Sequence, residues 1–284
     1  MTKPPLPLYA RQSSNALLAA SDHLTLPVQI TKGYVFLDGK VKDRSGVFMF
    51  DTGSPFPFFL NRDTIPLKLM KYISTGRAGS GQVLKVYQPE DVGAITLAGS
   101  VLNGVEPLRC TDFSFMTNMK KGGIRPDILG IAGLPLFRDD EFELNYATSS
   151  LDIYQINENG DPVIPHVKPQ DIVVTLPFRY SSNYMPIVEF VIDGIEIELI
   201  FDTGAPGDLV LTPDARRVLV KAGRLRPSGN SFVIEGLTYQ AIVLTADVPS
   251  VITGKSNSLK AGYSFLRHYR SVWNFNKQTI TLLK

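Results

Sequence analysis

The chain has 284 residues, 44% hydrophobic and 20% charged, long enough to bury a core without metals or disulfides. Its 29 Lys and Arg against 27 Asp and Glu leave a net charge of +2, which excludes charge-driven disorder and the basic footprint of a nucleic-acid binder. Cys110 is the only cysteine, so no internal disulfide or cysteine-based zinc site is available, and no apolar run reaches the ~18 residues of a membrane-spanning helix.

Residues 1–27 read as an N-terminal extension, with Pro4, Pro5 and Pro7 and an apolar patch at 16–20 too short for a signal-peptide core. The absence of any Asn-x-Ser/Thr sequon favours a cytoplasmic protein, a periplasmic or secreted one trimmed of its leader being the alternative. Short runs of Val, Ile and Phe then predict strands over 35–37, 47–50, 172–176, 187–192, 195–201 and 280–283, punctuated by 23 glycines and 20 prolines. One helix is expected over 213–222, with Thr212 as N-cap, Pro213 at the first helical position and Gly223 as the stop. The pattern is all-β.

An internal repeat adds domain organisation. Phe48-Met-Phe-Asp51-Thr-Gly-Ser-Pro55 returns as Leu199-Ile-Phe-Asp202-Thr-Gly-Ala-Pro206. Gly133-Leu-Pro-Leu-Phe-Arg138 returns as Gly262-Tyr-Ser-Phe-Leu-Arg267, and Glu143-Leu-Asn-Tyr146 as Val272-Trp-Asn-Phe275. Three matched blocks in one order imply a duplicated unit: a first lobe over 28–155, a linker over 156–171 and a second lobe over 172–284.

Each copy is an apolar strand that stops at a carboxylate and turns on a glycine. A lone carboxylate there would be costly to desolvate, so the site must supply hydrogen bonds or share a proton. Turn-forming aspartates at strand ends are the plain reading, and identical Thr-Gly neighbours in both copies weigh against it.

Asp51-Thr52-Gly53-Ser54 and Asp202-Thr203-Gly204-Ala205, with the later Ile131-Ala132-Gly133 (or Ile128-Leu129-Gly130 as a rival register) and Lys260-Ala261-Gly262, resemble the pepsin and retropepsin clan of aspartic peptidases. The resemblance covers the chain from about residue 28 to its end. It implies a two-lobed pepsin-like β-barrel fold with the active cleft between the lobes. It also implies a cofactor-free, metal-free endopeptidase in which Asp51 and Asp202 share one proton and activate water. The partner would be a peptide or protein substrate in extended form, and a monomer would suffice because both aspartates lie on one chain.

By the same resemblance Thr52 and Thr203 are crossed hydroxyls between the lobes. Gly53 and Gly204 allow tight turns and offer N–H groups to the carboxylates. Ser54 can donate to Asp51 whereas Ala205 cannot donate to Asp202, so Asp51 is expected to be the ionised partner. Gly76, Gly79, Ser80 and Gly81 form the glycine-rich tip of an expected substrate-covering flap, without the tyrosine that pepsins carry there. Lys260 stands where the family prefers an apolar residue, so the second loop is expected to be reshaped. His23, His166 and His268 show no metal-ligand spacing.

Two readings of other kinds remain: a catalytically silent peptide-binding module of the same fold, and an actin-like or sugar-kinase-like ATPase, which would need βαβ units and long helices.

Overall fold

A computed structural model describes residues 17–18, 21–68, 70–78, 82–181, 185–192, 195–206, 210–211, 213–221, 223, 225–228, 231–234, 237–239, 242–244 and 258–284. Strands dominate these residues. The expected strands appear as Tyr34–Val41, Arg44–Asp51, Ile172–Pro177, Pro186–Ile192, Ile195–Phe201 and Thr279–Leu283. The expected helix is Pro213–Lys221, which buries Leu219. Among the described residues no helix is long and apolar enough to cross a membrane.

The repeat is visible in how the strands pair. A six-stranded sheet takes His23–Pro27, Ser150–Tyr154 and Glu141–Asn145 from one copy, and Arg270–Asn274, Thr279–Leu283 and Ile172–Pro177 from the other. At its centre Glu141–Asn145 runs antiparallel to Arg270–Asn274 with Glu143 opposite Val272. Those two residues are equivalents in the repeat, so a local twofold passes through their pair. The last five residues of the expected N-terminal extension are therefore the outer strand of this sheet, paired with Ser150–Tyr154.

Each copy also carries its own sheet, of ten strands in the first half and five among the described residues of the second. In each, the strand leading to the aspartate lies parallel to a later strand ending in small residues. Arg44–Asp51 pairs with Ile128–Gly133, Asp51 opposite Gly133. Ile195–Phe201 pairs with Ser258–Ala261, Phe201 opposite Ala261. This register selects Ile131-Ala132-Gly133 over its rival. It makes Ile131 the counterpart of Lys260, since 260 − 131 = 129 = 272 − 143.

The residue before each aspartate is a buried phenylalanine anchored in the shared sheet. Phe50 meets Phe142 edge-on at 5.6 Å and Phe201 meets Trp273 edge-on at 6.0 Å, while Phe142 and Trp273 stack at 5.4 Å. Such pairs contribute about 0.5–1.5 kcal/mol each beyond burial. One aromatic cluster thus holds both aspartate strands, and the two turns that follow are positioned from a common base.

Candidate active site

The two Asp-Thr-Gly turns meet at the junction of the halves. Thr52 N–H donates to Thr203 Oγ1 at 3.0 Å, and Thr203 N–H donates to Thr52 Oγ1 at 3.1 Å. Each hydroxyl in turn donates across to the opposite strand, Thr52 to the Phe201 carbonyl and Thr203 to the Phe50 carbonyl, both at 3.0 Å. All four bonds are buried, and a buried polar group left unpaired is costly. The separation of the turns is therefore closely set.

That latch brings Asp51 and Asp202 together: each carboxyl lies against the glycine of the opposite turn, and both residues line one cleft. Gly53 N–H donates to Asp51 Oδ1 at 2.8 Å and Gly204 N–H to Asp202 Oδ1 at 2.9 Å. Ser54 contributes its backbone N–H to the Asp51 carbonyl, as Ala205 does for Asp202. The glycines thus offer the expected N–H groups, and they also meet a second need. Neither Gly53 nor Gly204 adopts positive φ. Instead, a Cβ on Gly53 would lie 2.9 Å from Asp202 Oδ1, and one on Gly204 would lie 2.5 Å from Asp51 Oδ1.

Lys260 completes the cluster, its Nζ donating to Asp202 Oδ2 at 2.7 Å. This ion pair reverses the expected proton placement. Burial, reinforced by the neighbouring Asp202 charge, pushes Asp51 up to about 8. Burial pushes Asp202 the same way, but the charge and hydrogen bond of Lys260, with bonds from Asp51 and Gly204, outweigh it and hold this carboxyl below its ordinary value. Lys260 is itself raised by the Asp202 charge against the opposing effect of burial. These opposite directions put the pair's proton on Asp51 and its charge on Asp202. The Ser54 hydroxyl is not among the groups acting on Asp51, so the serine-against-alanine difference from which the opposite was expected does not operate, whereas a cation touches Asp202.

The pair lies on the floor of a cleft of about 540 Å³. On the Asp51 side the wall is apolar, with Met49, Phe56, Phe59, Phe113, Met116 and Ile131. The hairpin of Met70–Arg77 and Val83–Pro89 borders it, placing Gly76, Arg77 and Ala78 on the cleft, and Ala78 N–H donates to the Gln82 carbonyl at 2.9 Å. Of the expected flap residues, Gly76 is thus at the cleft, while Gly79, Ser80 and Gly81 lie outside the described residues. Leu225–Ser228 and Ser231–Ile234 form a hairpin in the second half.

Two groups at the pair escaped sequence reasoning as functional residues. Tyr34 lines the cleft, and its phenol is raised by burial and then by the charges of Asp202 and Asp51, so it stays protonated. No local pattern could have placed it there. Lys260 did leave a signal, a charged residue where the first copy has Ile131. Among the described residues no group of three or more His, Cys, Asp or Glu could hold a metal ion.

No protein-family model matches the chain, and no curated protein matches it significantly.

Proposed function

We propose that this protein is an aspartic endopeptidase of the two-lobed pepsin-like kind, with its active cleft between the halves and Asp51 and Asp202 as the catalytic pair. One observation carries the reading: two aspartates from a duplicated Asp-Thr-Gly turn lie together in one cleft. A water between them gives its proton to the Asp202 carboxylate as its oxygen attacks the peptide carbonyl. Asp51 donates to the developing oxyanion. On collapse, Asp51 regains its proton from the tetrahedral hydroxyl, and Asp202 passes its proton to the leaving nitrogen. No covalent intermediate forms.

The apolar wall beside Asp51 favours extended substrates with bulky apolar side chains flanking the cut. Both aspartates come from one chain, so a monomer is sufficient. The ATPase reading finds little support, since helices among the described residues reach at most 9 residues. Digestion of a peptide library at pH 4 to 8, run beside Asp51→Asn and Asp202→Asn, tests the proposal. Cleavage by the wild type that both variants lose is the expected result. Peptide retention without cleavage would mark a silent binding module instead.

A further inference from the structure

We infer that Lys260 is a positioning residue that fixes the polarity of the aspartate pair, making Asp202 the standing base and Asp51 the standing acid. The inference rests on the reading of the cleft as a peptidase site and deepens it.

Two aspartates delivered by a repeat start out nearly equivalent. Each receives one N–H from its own glycine, at 2.8 and 2.9 Å, and each strand is crossed by the opposite threonine at 3.0 Å. Nothing in these bonds tells the shared proton where to reside. Of the parallel strand beside each aspartate, one equivalent position lines the cleft in both halves, and there the halves differ. The first half has Ile131 there and the second has Lys260, and both line the cleft.

The lysine is well held. Its strand, Ser258–Ala261, is paired on one side with Ile195–Phe201 and on the other with Val210–Leu211, so its Cα cannot drift from Asp202. With Gly204 N–H on Asp202 Oδ1 and the ammonium on Oδ2, both oxygens of this carboxylate are engaged. Other ionisable groups facing the pair are the Tyr34 and Tyr146 phenols, both raised and therefore uncharged at neutral pH, and Arg77 at the cleft wall. Among the described residues Lys260 is the cation in direct contact with the pair.

A contacting cation does two things. It assigns the negative charge to Asp202, so the proton stays on Asp51. It also keeps the pair singly protonated further into acid than two carboxyls in a buried site would otherwise remain, because an adjacent opposite charge lowers a carboxyl by about 1–3 pH units. Activity should therefore persist on the acidic side.

The test compares the wild type with Lys260→Ile, which installs the counterpart residue, Lys260→Met, which keeps length without charge, and Lys260→Arg. Two measurements run in parallel: the pH profile of kcat/KM on a peptide substrate, and carboxyl-carbon NMR titration of Asp51 and Asp202. In the wild type Asp202 should ionise first. In Lys260→Ile or Lys260→Met the acidic limb and the first ionisation should move up by about one pH unit or more, and Lys260→Arg should restore both. An acidic limb that stays put in the uncharged variants, or Asp51 ionising first in the wild type, overturns the inference. A wild type that cleaves nothing while its carboxyl titration shifts as described removes the peptidase reading and leaves the proton placement standing.

Discussion

Gly204 faces Asp51 so closely that a methyl group on its Cα would stand 2.5 Å from Asp51 Oδ1, and Gly53 stands to Asp202 in the same relation at 2.9 Å. Each glycine makes room for the carboxylate of the other half. Gly204→Ala should therefore displace Asp51 and lower kcat/KM by about 100-fold or more, because misplacing a reacting group by about 1 Å can cost that much. Overpacking should also cost about 1–3 kcal/mol of stability. Gly53→Ala, with more room, should be the milder change. Steady-state kinetics and urea unfolding of both variants check the order.

The threonine latch predicts a stability effect that activity alone would not reveal. Thr52→Val keeps the shape but leaves the Thr203 N–H and the Phe201 carbonyl buried without partners. A loss of about 2–6 kcal/mol is expected, at about 1–3 kcal/mol for each orphaned group. Thr203→Val should behave alike, and the double variant should cost less than the sum because the two side chains share bonds. Thr52→Ser should retain most of the stability. Urea denaturation of the four variants decides.

Asp51 gives a pH dependence with a defined sign. Its folded value of about 8 lies above the ordinary 3.8, so between these values the folded chain holds a proton that the unfolded chain has lost. Stability contributed by this group is then complete below about pH 4 and falls as pH rises toward about 8. Asp51→Asn cannot ionise and lacks this slope, so its stability relative to the wild type should improve steadily across the same range. Unfolding at pH 4.5, 6 and 8 follows it. Ionisation of Asp51 should also end peptidase activity on the alkaline side near pH 8.

His166 supplies a second slope away from the cleft. Its ring stacks on Tyr154 at 3.6 Å, with Nε2 2.7 Å from Glu141 and Nδ1 3.2 Å from Glu143. Burial alone would depress the imidazole, but the two glutamates outweigh it and raise it from 6.5 to about 9. The stabilisation is therefore fully present below about pH 6.5 and lost as pH passes through about 9. The Tm gap between wild type and His166→Gln should be widest below pH 6.5 and narrow toward pH 9.5. A gap independent of pH would show that stacking, not charge, holds the linker to the sheet.

The strands at 47–50 and 195–201 and the helix at 213–221 were legible because each is a local pattern, an apolar run or a capped periodic segment read within about ten residues. The pairing of Asp51 with Asp202 was legible for a different reason: duplication marks equivalent positions however far apart they lie. The strand His23–Pro27 was not readable, because its pairing with Ser150–Tyr154 is a contact across more than a hundred residues. Tyr34 at the cleft and the selection of Ile131 over Ile128 were hidden likewise, since both depend on strand register.

The amino-acid order alone determined that there are two like halves, that each ends a buried strand in Asp-Thr-Gly, and that no cysteine pair braces them. It left the two aspartates nearly symmetric and pointed to the wrong one as the charged partner. Only the tertiary structure set them apart, by bringing an ammonium carried 58 residues further along the chain to within 2.7 Å of Asp202. Electrostatic energy in a buried site depends on distance between charges and their removal from water, and neither quantity is carried by residue order until the chain has folded.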